Sequence, residues 1–243
     1  MVNRLEAVIF DMDRTLVDSN LKLGSDVKDT LARLGTSISL EEAKASKDWV
    51  GLAAKHGHSK DEFWNSFNQR DTWTQSIQKG IATIFPETFQ VLDTLQRDNY
   101  RLVLVSRSEE KETMEKVNGF GFGKYFKKPY LVAPRKLREQ RSLTKTFGYL
   151  QAIDQEGLAA EFLAAAQTLQ QPARLYIIGD SEEDVWAGQA LKKWISKDPK
   201  YQKSEIITIL VDRQAKNPKT RADYVVRDLN QALDVIKSYR TKS

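Results

Sequence analysis

The 243-residue sequence contains no cysteine and only two histidines. The absence of cysteine excludes a disulfide, a thiol nucleophile and a thiolate metal site. We interpret the two histidines, His56 and His58, as turn residues, because no further metal-ligand candidates accompany them. Any metal centre is therefore expected to use oxygen ligands.

The sequence also lacks long apolar runs, although 40% of its residues are hydrophobic and 29% are charged. No run approaches the length of a membrane span, so we expect no contact with a membrane. The first strand is predicted within a few residues of the start, which leaves no room for a signal peptide. Together with the absence of cysteine, these features favour a cytoplasmic protein.

The formal net charge is only +5, but basic residues are concentrated in one segment. Eight of them occur between residues 124 and 145, against the single acidic residue Glu139. They are Lys124, Lys127, Lys128, Arg135, Lys136, Arg138, Arg141 and Lys145. The segment fits a solvated surface loop, and alternatively an electrostatic funnel for a phosphate-rich substrate. We favour the loop.

Two aspartates, Asp11 and Asp13, directly follow an apolar run that begins at Val8. A short apolar run ended by a turn signal is typical of a buried strand in an α/β sheet. Carboxylates at the C-terminal end of such a strand lie where these sheets bind ligands. Taken alone, the pattern also fits turn or capping residues.

Two later apolar runs end in polar residues in the same way. The run 102–105 is followed by Ser106, and the run 175–178 leads to Asp180 and, four residues later, Asp184. Ser106 and Asp180 would also fit helix N-caps, a role that does not exclude phosphate binding at a strand-to-helix junction. Strands that alternate with helical segments predict a parallel sheet with right-handed crossovers.

In chain order the sequence thus presents Asp-x-Asp-x-Thr, a serine at a strand end, a lysine and Gly-Asp-x-x-x-Asp. This order resembles the haloacid dehalogenase-like (HAD) hydrolase superfamily, and so does the segment FPETFQVLDTLQRDNYRLVLVSRS. The resemblance covers nearly the whole chain except residues 20–85, where only the general layout matches. It implies an α/β fold, with a Rossmann-like three-layer α/β/α core around a parallel sheet and a smaller all-helical cap domain.

The cap is expected between the first and second motifs, as in phosphatase-type members of the superfamily. We therefore predict a catalytic core of residues 1–18 and 86–243 and a cap of residues 19–85. Two capping-box patterns, Ser39 with Glu42 and Ser59 with Glu62, predict helices within the cap.

The resemblance assigns chemical roles to the motif residues. Asp11 would attack phosphorus to form an aspartyl-phosphate, and Asp13 would protonate the leaving oxygen and then activate water. Asp11, Asp180 and the backbone carbonyl of Asp13 would bind Mg²⁺. Asp184 would hold a metal-bound water or orient the motif lysine.

Four residues would contact the substrate phosphate by resemblance, namely Thr15, Ser106, Arg107 and Lys145. Lys145 would also balance the charge of Asp11, and Lys136 is its rival, since only spacing from the Gly-Asp motif selects between the two lysines. Arg14 departs from the glycine that many family members have between Asp13 and Thr15.

The favoured function is a Mg²⁺-dependent phosphatase for a small phosphorylated metabolite. One alternative is a sugar-phosphate mutase on the same scaffold, which would retain phosphate in a bisphosphate intermediate. Another is a phosphatase for nucleic-acid ends, which the basic segment motivates and which predicts strong salt dependence. A non-catalytic protein is disfavoured because a scaffold has no need of Asp13. The sequence gives no prediction of the oligomeric state.

Overall fold

A computed structural model describes most of the chain. The described residues are 6–46, 48–106, 108, 110–126, 130–131, 174–196, 204–215 and 219–240. They fall into two compact units, a larger one that runs to Leu16 and resumes at Phe85, and a smaller one, Val17–Ile84. Among the helices described, none is both long and apolar enough to cross a membrane.

The smaller unit follows the first strand of the chain, β1 (Glu6–Asp11), and is mainly helical. Its described elements are β2 (Val17–Asp18), α1 (Asn20–Arg33), α2 (Leu40–Ala45), α3 (Trp49–Lys55), α4 (Lys60–Phe67), α5 (Trp73–Gln78) and β3 (Thr83–Ile84). The sequence predicted the helices but not the two short strands, which pair antiparallel where the chain enters and leaves this unit. Two residues per strand are too few to produce a recognisable alternation of apolar and polar residues.

Apolar side chains from several of these helices form a core of the smaller unit. Val27, Leu31 and Phe63 are fully buried in it, and Trp49 and Trp64 pack against it. Helix α4 begins with the predicted capping box, because the Ser59 hydroxyl accepts from the Glu62 N–H and the Glu62 carboxylate accepts from the Ser59 N–H.

The larger unit is built around a six-stranded parallel sheet. Its further described elements are α6 (Thr88–Arg97), β4 (Arg101–Ser106), α7 (Glu110–Gly119), a 3₁₀ turn (Phe122–Lys124), β5 (Tyr130–Leu131), β6 (Arg174–Gly179), α8 (Glu182–Ile195), β7 (Glu205–Val211), β8 (Tyr224–Val226) and α9 (Leu229–Arg240). The strand order is β5-β4-β1-β6-β7-β8. This arrangement confirms the predicted parallel α/β core.

Strand β1 lies between β4 and β6, so the chain turns to one side of β1 first and to the other side later. Its residues Ala7–Phe10 are completely buried, which explains why this run is apolar at every position. Pairing aligns Asp11 with Val105 of β4 and Phe10 with Ile178 of β6. The C-terminal ends of three neighbouring strands therefore lie at one edge, at a topological switch point where α/β sheets bind ligands.

Helix α6 begins at Thr88, two residues after Pro86. Pro86 would fit the first helical turn, but the Thr88 N–H bonds to the Phe85 carbonyl and closes a turn that contains Pro86. The Thr88 hydroxyl then donates to the Leu16 carbonyl. The start of α6 is thus tied to the loop that follows β1.

Candidate active site

Three aspartates from two strand ends meet at the C-terminal edge of the sheet. Asp11 ends β1, Asp180 directly follows β6, and Asp184 lies in the first turn of α8. One carboxylate oxygen from each lies within 4.8 Å of the others. The structure therefore brings together residues that are far apart in the sequence but were singled out by their positions after apolar runs.

Asp184 is held in place by the start of its own helix. It is 5% exposed, and its Oδ2 accepts from the Ser181 N–H at 3.1 Å and the Ser181 hydroxyl at 2.7 Å. The residues at the start of α8 are therefore Ser181 paired with Asp184, and Asp180 is not the N-cap that the sequence suggested, because the helix begins at Glu182. A side chain at position 179 would overlap the Asp184 carboxylate, which explains the glycine of the Gly-Asp-x-x-x-Asp motif.

The donor set of this cluster fits a hard divalent cation. Carboxylate oxygens are ligands that Mg²⁺ accepts, usually alongside water and substrate phosphate. Three carboxylates at such short range repel one another, and a shared cation would offset that repulsion. The sequence assigned Asp184 an outer role beside the metal, and one of its oxygens lies within 4.8 Å of those of Asp11 and Asp180.

The loop after β1 is fixed by contacts on both sides of Arg14. The Thr15 hydroxyl, which is fully buried, donates to Asp11 Oδ2 at 3.2 Å, and the Leu16 N–H bonds to the Met12 carbonyl at 3.0 Å. Arg14 itself has φ 66°. This left-handed conformation disfavours side chains other than glycine, so the loop holds Arg14 in a strained conformation between two motif residues.

Arg213, which follows β7, contacts the same loop. The sequence analysis did not identify this residue. Its guanidinium donates to the Thr15 carbonyl at 3.1 Å and to Glu87 Oε1 at 2.7 Å, and it lies 3.4 Å from the ring centre of Phe85. Arg213 and its sequence neighbours match no known catalytic or binding motif. A single arginine after an apolar strand therefore did not indicate a functional residue.

Ser106, the last residue of β4, is almost completely buried. Its Oγ accepts from the Ser108 N–H at 3.1 Å and from the Thr113 hydroxyl at 3.4 Å. With two donors already directed at this oxygen, the Ser106 proton is left to donate to another group. That arrangement suits a hydroxyl expected to bond a phosphoryl oxygen.

Asp13 forms an ion pair that the sequence analysis missed. Lys116 Nζ lies 2.5 Å from Asp13 Oδ2 and 2.8 Å from Ser108 Oγ, and its side chain is fully buried. The lysine lies in α7, which is rich in charged residues. In the sequence, Lys116 could therefore not be distinguished from the charged residues on the exposed face of this helix. The available signal was its spacing, since Thr113, Lys116 and Val117 share one helix face.

Several predicted site residues lie outside the described residues, namely Arg107, Lys136 and Lys145. Of the basic segment, Lys124 is described and is a surface residue. Its Nζ lies 3.3 Å from Asp93 Oδ1, with both side chains more than half exposed. Such exposed pairs contribute little to stability.

Known proteins resemble this chain both in sequence and in fold. The sequence matches the haloacid dehalogenase-like hydrolase family over residues 8–193. The comparison with curated protein sequences gives no match.

Similar solved structures share the fold at low sequence identity. A HAD phosphatase from Thermococcus onnurineus is 18% identical, with a TM-score of 0.60 over 96% of this chain and 98% of that one. A haloacid dehalogenase-like family hydrolase from Streptococcus pneumoniae is also 18% identical, with a TM-score of 0.64 and the same two shares covered. A predicted phosphoglycolate phosphatase from Haemophilus somnus is 16% identical, with a TM-score of 0.65 over 97% of this chain and all of that one.

The family match extends over most of the chain and includes the strand ends that carry Asp11, Ser106 and Asp180. The fold of the larger unit agrees with it, and so do the positions of these residues at one edge of its sheet. The chain belongs to the haloacid dehalogenase-like hydrolase family.

Proposed function

We propose that the protein is a Mg²⁺-dependent phosphomonoester hydrolase that acts on a small phosphorylated metabolite through an aspartyl-phosphate on Asp11. The observation that carries the proposal is the meeting of the Asp11, Asp180 and Asp184 carboxylates at the switch point of the sheet. Structures described as a HAD phosphatase and a predicted phosphoglycolate phosphatase support it, since they share the fold over nearly their full length.

In the first step, Asp11 attacks phosphorus while Asp13 protonates the oxygen of the departing alcohol. The hydrogen bond from the Thr15 hydroxyl fixes the orientation of the Asp11 carboxylate. Ser106 donates its proton to a phosphoryl oxygen. In the second step, Asp13 accepts a proton from the water that attacks the aspartyl-phosphate, and inorganic phosphate is released.

Asp11, Asp180 and Asp184 would hold Mg²⁺, with the Asp13 carbonyl as a further ligand. When bound there, the ion would neutralise negative charge on the phosphoryl group as the nucleophile approaches. Arg107 and Lys145 are proposed to contact the same phosphate, and the smaller unit, Val17–Ile84, is proposed to be the cap that selects the alcohol part of the substrate.

The proposal predicts release of inorganic phosphate from at least one member of a panel of phosphorylated metabolites. Release should be at least about 100-fold faster with Mg²⁺ than with a chelator, since a cation stabilises transition-state charge by several kcal/mol. A 5′-phosphorylated oligonucleotide, assayed at low and high salt, serves as the comparison for a nucleic-acid substrate.

Two outcomes would contradict the proposal. Phosphate release that is equal with Mg²⁺ and with chelator would exclude the metal. Conversion of a sugar phosphate through a bisphosphate, with no free phosphate, would instead identify a mutase.

A further inference from the structure

We propose that Lys116 is a positioning residue for Asp13, holding one carboxylate oxygen so that the other carries out proton transfer. The inference rests on the proposed phosphatase activity. It adds to that activity a lysine in α7, which is distinct from the motif lysine expected at position 145 or 136.

The contacts around Oδ2 of Asp13 are dense. Lys116 Nζ lies 2.5 Å from this oxygen, and the Ser108 hydroxyl, which is 3.4 Å away, accepts from the same Nζ at 2.8 Å. The lysine side chain is 0% exposed, whereas that of Asp13 is 26% exposed. The buried ammonium is therefore directed at the carboxylate of a partly exposed side chain.

The second oxygen of the same carboxylate has a different environment. Asp13 Oδ1 is buried and has no hydrogen-bond partner among the described residues. A buried carboxylate oxygen without a partner is costly in a folded protein and calls for an explanation. The explanation we propose is that this oxygen exchanges a proton with the leaving group in the first step and with water in the second.

The position of Lys116 in α7 points to the site in the same way. The buried residues Thr113 and Lys116 lie on one face of this helix, and Thr113 contacts Ser106. Each of the two polar side chains of this face thus meets a different motif residue. Apolar replacements of a buried ion pair are often neutral or stabilising, so stability alone does not account for the lysine.

The charge of Lys116 stabilises the Asp13 carboxylate that the first step produces. As Asp13 Oδ1 gives its proton to the leaving oxygen and the phosphorus–oxygen bond breaks, negative charge develops on the Asp13 carboxylate. The ammonium stabilises this charge where it forms. In the second step Asp13 takes a proton from water, and Lys116 keeps its own protons throughout.

The test compares two substrates that differ in their need for an acid. The leaving group of 4-nitrophenyl phosphate departs readily without a proton, whereas that of an alkyl phosphomonoester does not. In Lys116→Met, kcat for the fastest alkyl substrate should fall by about 100-fold and kcat for 4-nitrophenyl phosphate by less than about tenfold. Lys116→Gln should show the same difference, and Lys111→Met, an exposed site in the same helix, should leave both rates unchanged.

Two results would overturn this role. An equal loss on both substrates would indicate a purely structural lysine. Weaker inhibition by inorganic phosphate, with the two substrates affected alike, would instead assign Lys116 to phosphate binding.

A second measurement does not depend on catalysis. A double-mutant cycle of Asp13→Asn and Lys116→Met, read from urea unfolding, should give a coupling of at least tenfold in the unfolding equilibrium constant, or about 1.4 kcal/mol. Independent effects of the two substitutions would overturn the ion pair and with it the role of Lys116. A wild-type protein that releases no phosphate, but retains this coupling, would overturn the proposed function instead.

Discussion

Replacing Asp11 with asparagine should reduce phosphate release by at least about 10³-fold, because an amide cannot serve as the nucleophile. The substitution preserves the shape of the side chain and an oxygen that can accept the Thr15 hydroxyl, which lies 3.2 Å from Asp11 Oδ2. It also removes one of three closely spaced negative charges. We therefore expect the variant to fold at least as stably as the wild type while losing activity.

The comparison requires a control that removes one carboxylate elsewhere. Asp234→Asn is suitable, because Asp234 is exposed on α9 in the larger unit. Steady-state kinetics and thermal unfolding of both variants separate chemistry from folding. Activity of Asp11→Asn within tenfold of the wild type would show that another group attacks phosphorus.

The second large effect concerns stability. Asp13→Ala should lower the free energy of unfolding by about 3–5 kcal/mol, because it leaves the ammonium of Lys116 buried without its carboxylate. Lys116→Met should cost less, about 1–2 kcal/mol, since the Asp13 side chain is 26% exposed and water can solvate the carboxylate that remains.

Urea denaturation of the two variants measures this asymmetry directly. Equal losses, or a smaller loss for Asp13→Ala, would mean that the Lys116 ammonium reaches water or another acceptor when Asp13 is removed. Because Asp13→Ala is expected to lower stability, its activity is compared with that of a folded sample, and inactivity alone does not demonstrate the loss of acid catalysis.

The parallel α/β core was predictable because its strands are continuous apolar runs. The apolar runs 102–105 and 175–178 fall within β4 and β6, and the run that begins at Val8 lies within β1. Strand order was not predictable, because pairing depends on contacts between distant segments that apolar periodicity does not encode. The placement of β1 between β4 and β6 had to come from the structure.

The candidate site divides in the same way. Asp11, Ser106 and Asp180 could be found because each follows an apolar run, and such runs end at the ligand-binding edge. Lys116 and Arg213 were missed, because each reaches the site through a long side chain, from a polar helix in one case and from a loop in the other, and only the helical spacing of Lys116 gave a weak signal. Their contacts depend on tertiary structure, which brings α7 to Ser106 at the end of β4 and the β7 loop to Phe85.

Detection of the covalent intermediate tests the central claim most directly. The enzyme is mixed with Mg²⁺ and its best substrate, quenched in acid during turnover, digested and examined by mass spectrometry. We expect one added phosphoryl group on the peptide that contains Asp11, and none in Asp11→Asn. Turnover with the phosphoryl group on another residue, or with no phosphorylated peptide after the quench, would contradict the assignment of Asp11 as the nucleophile.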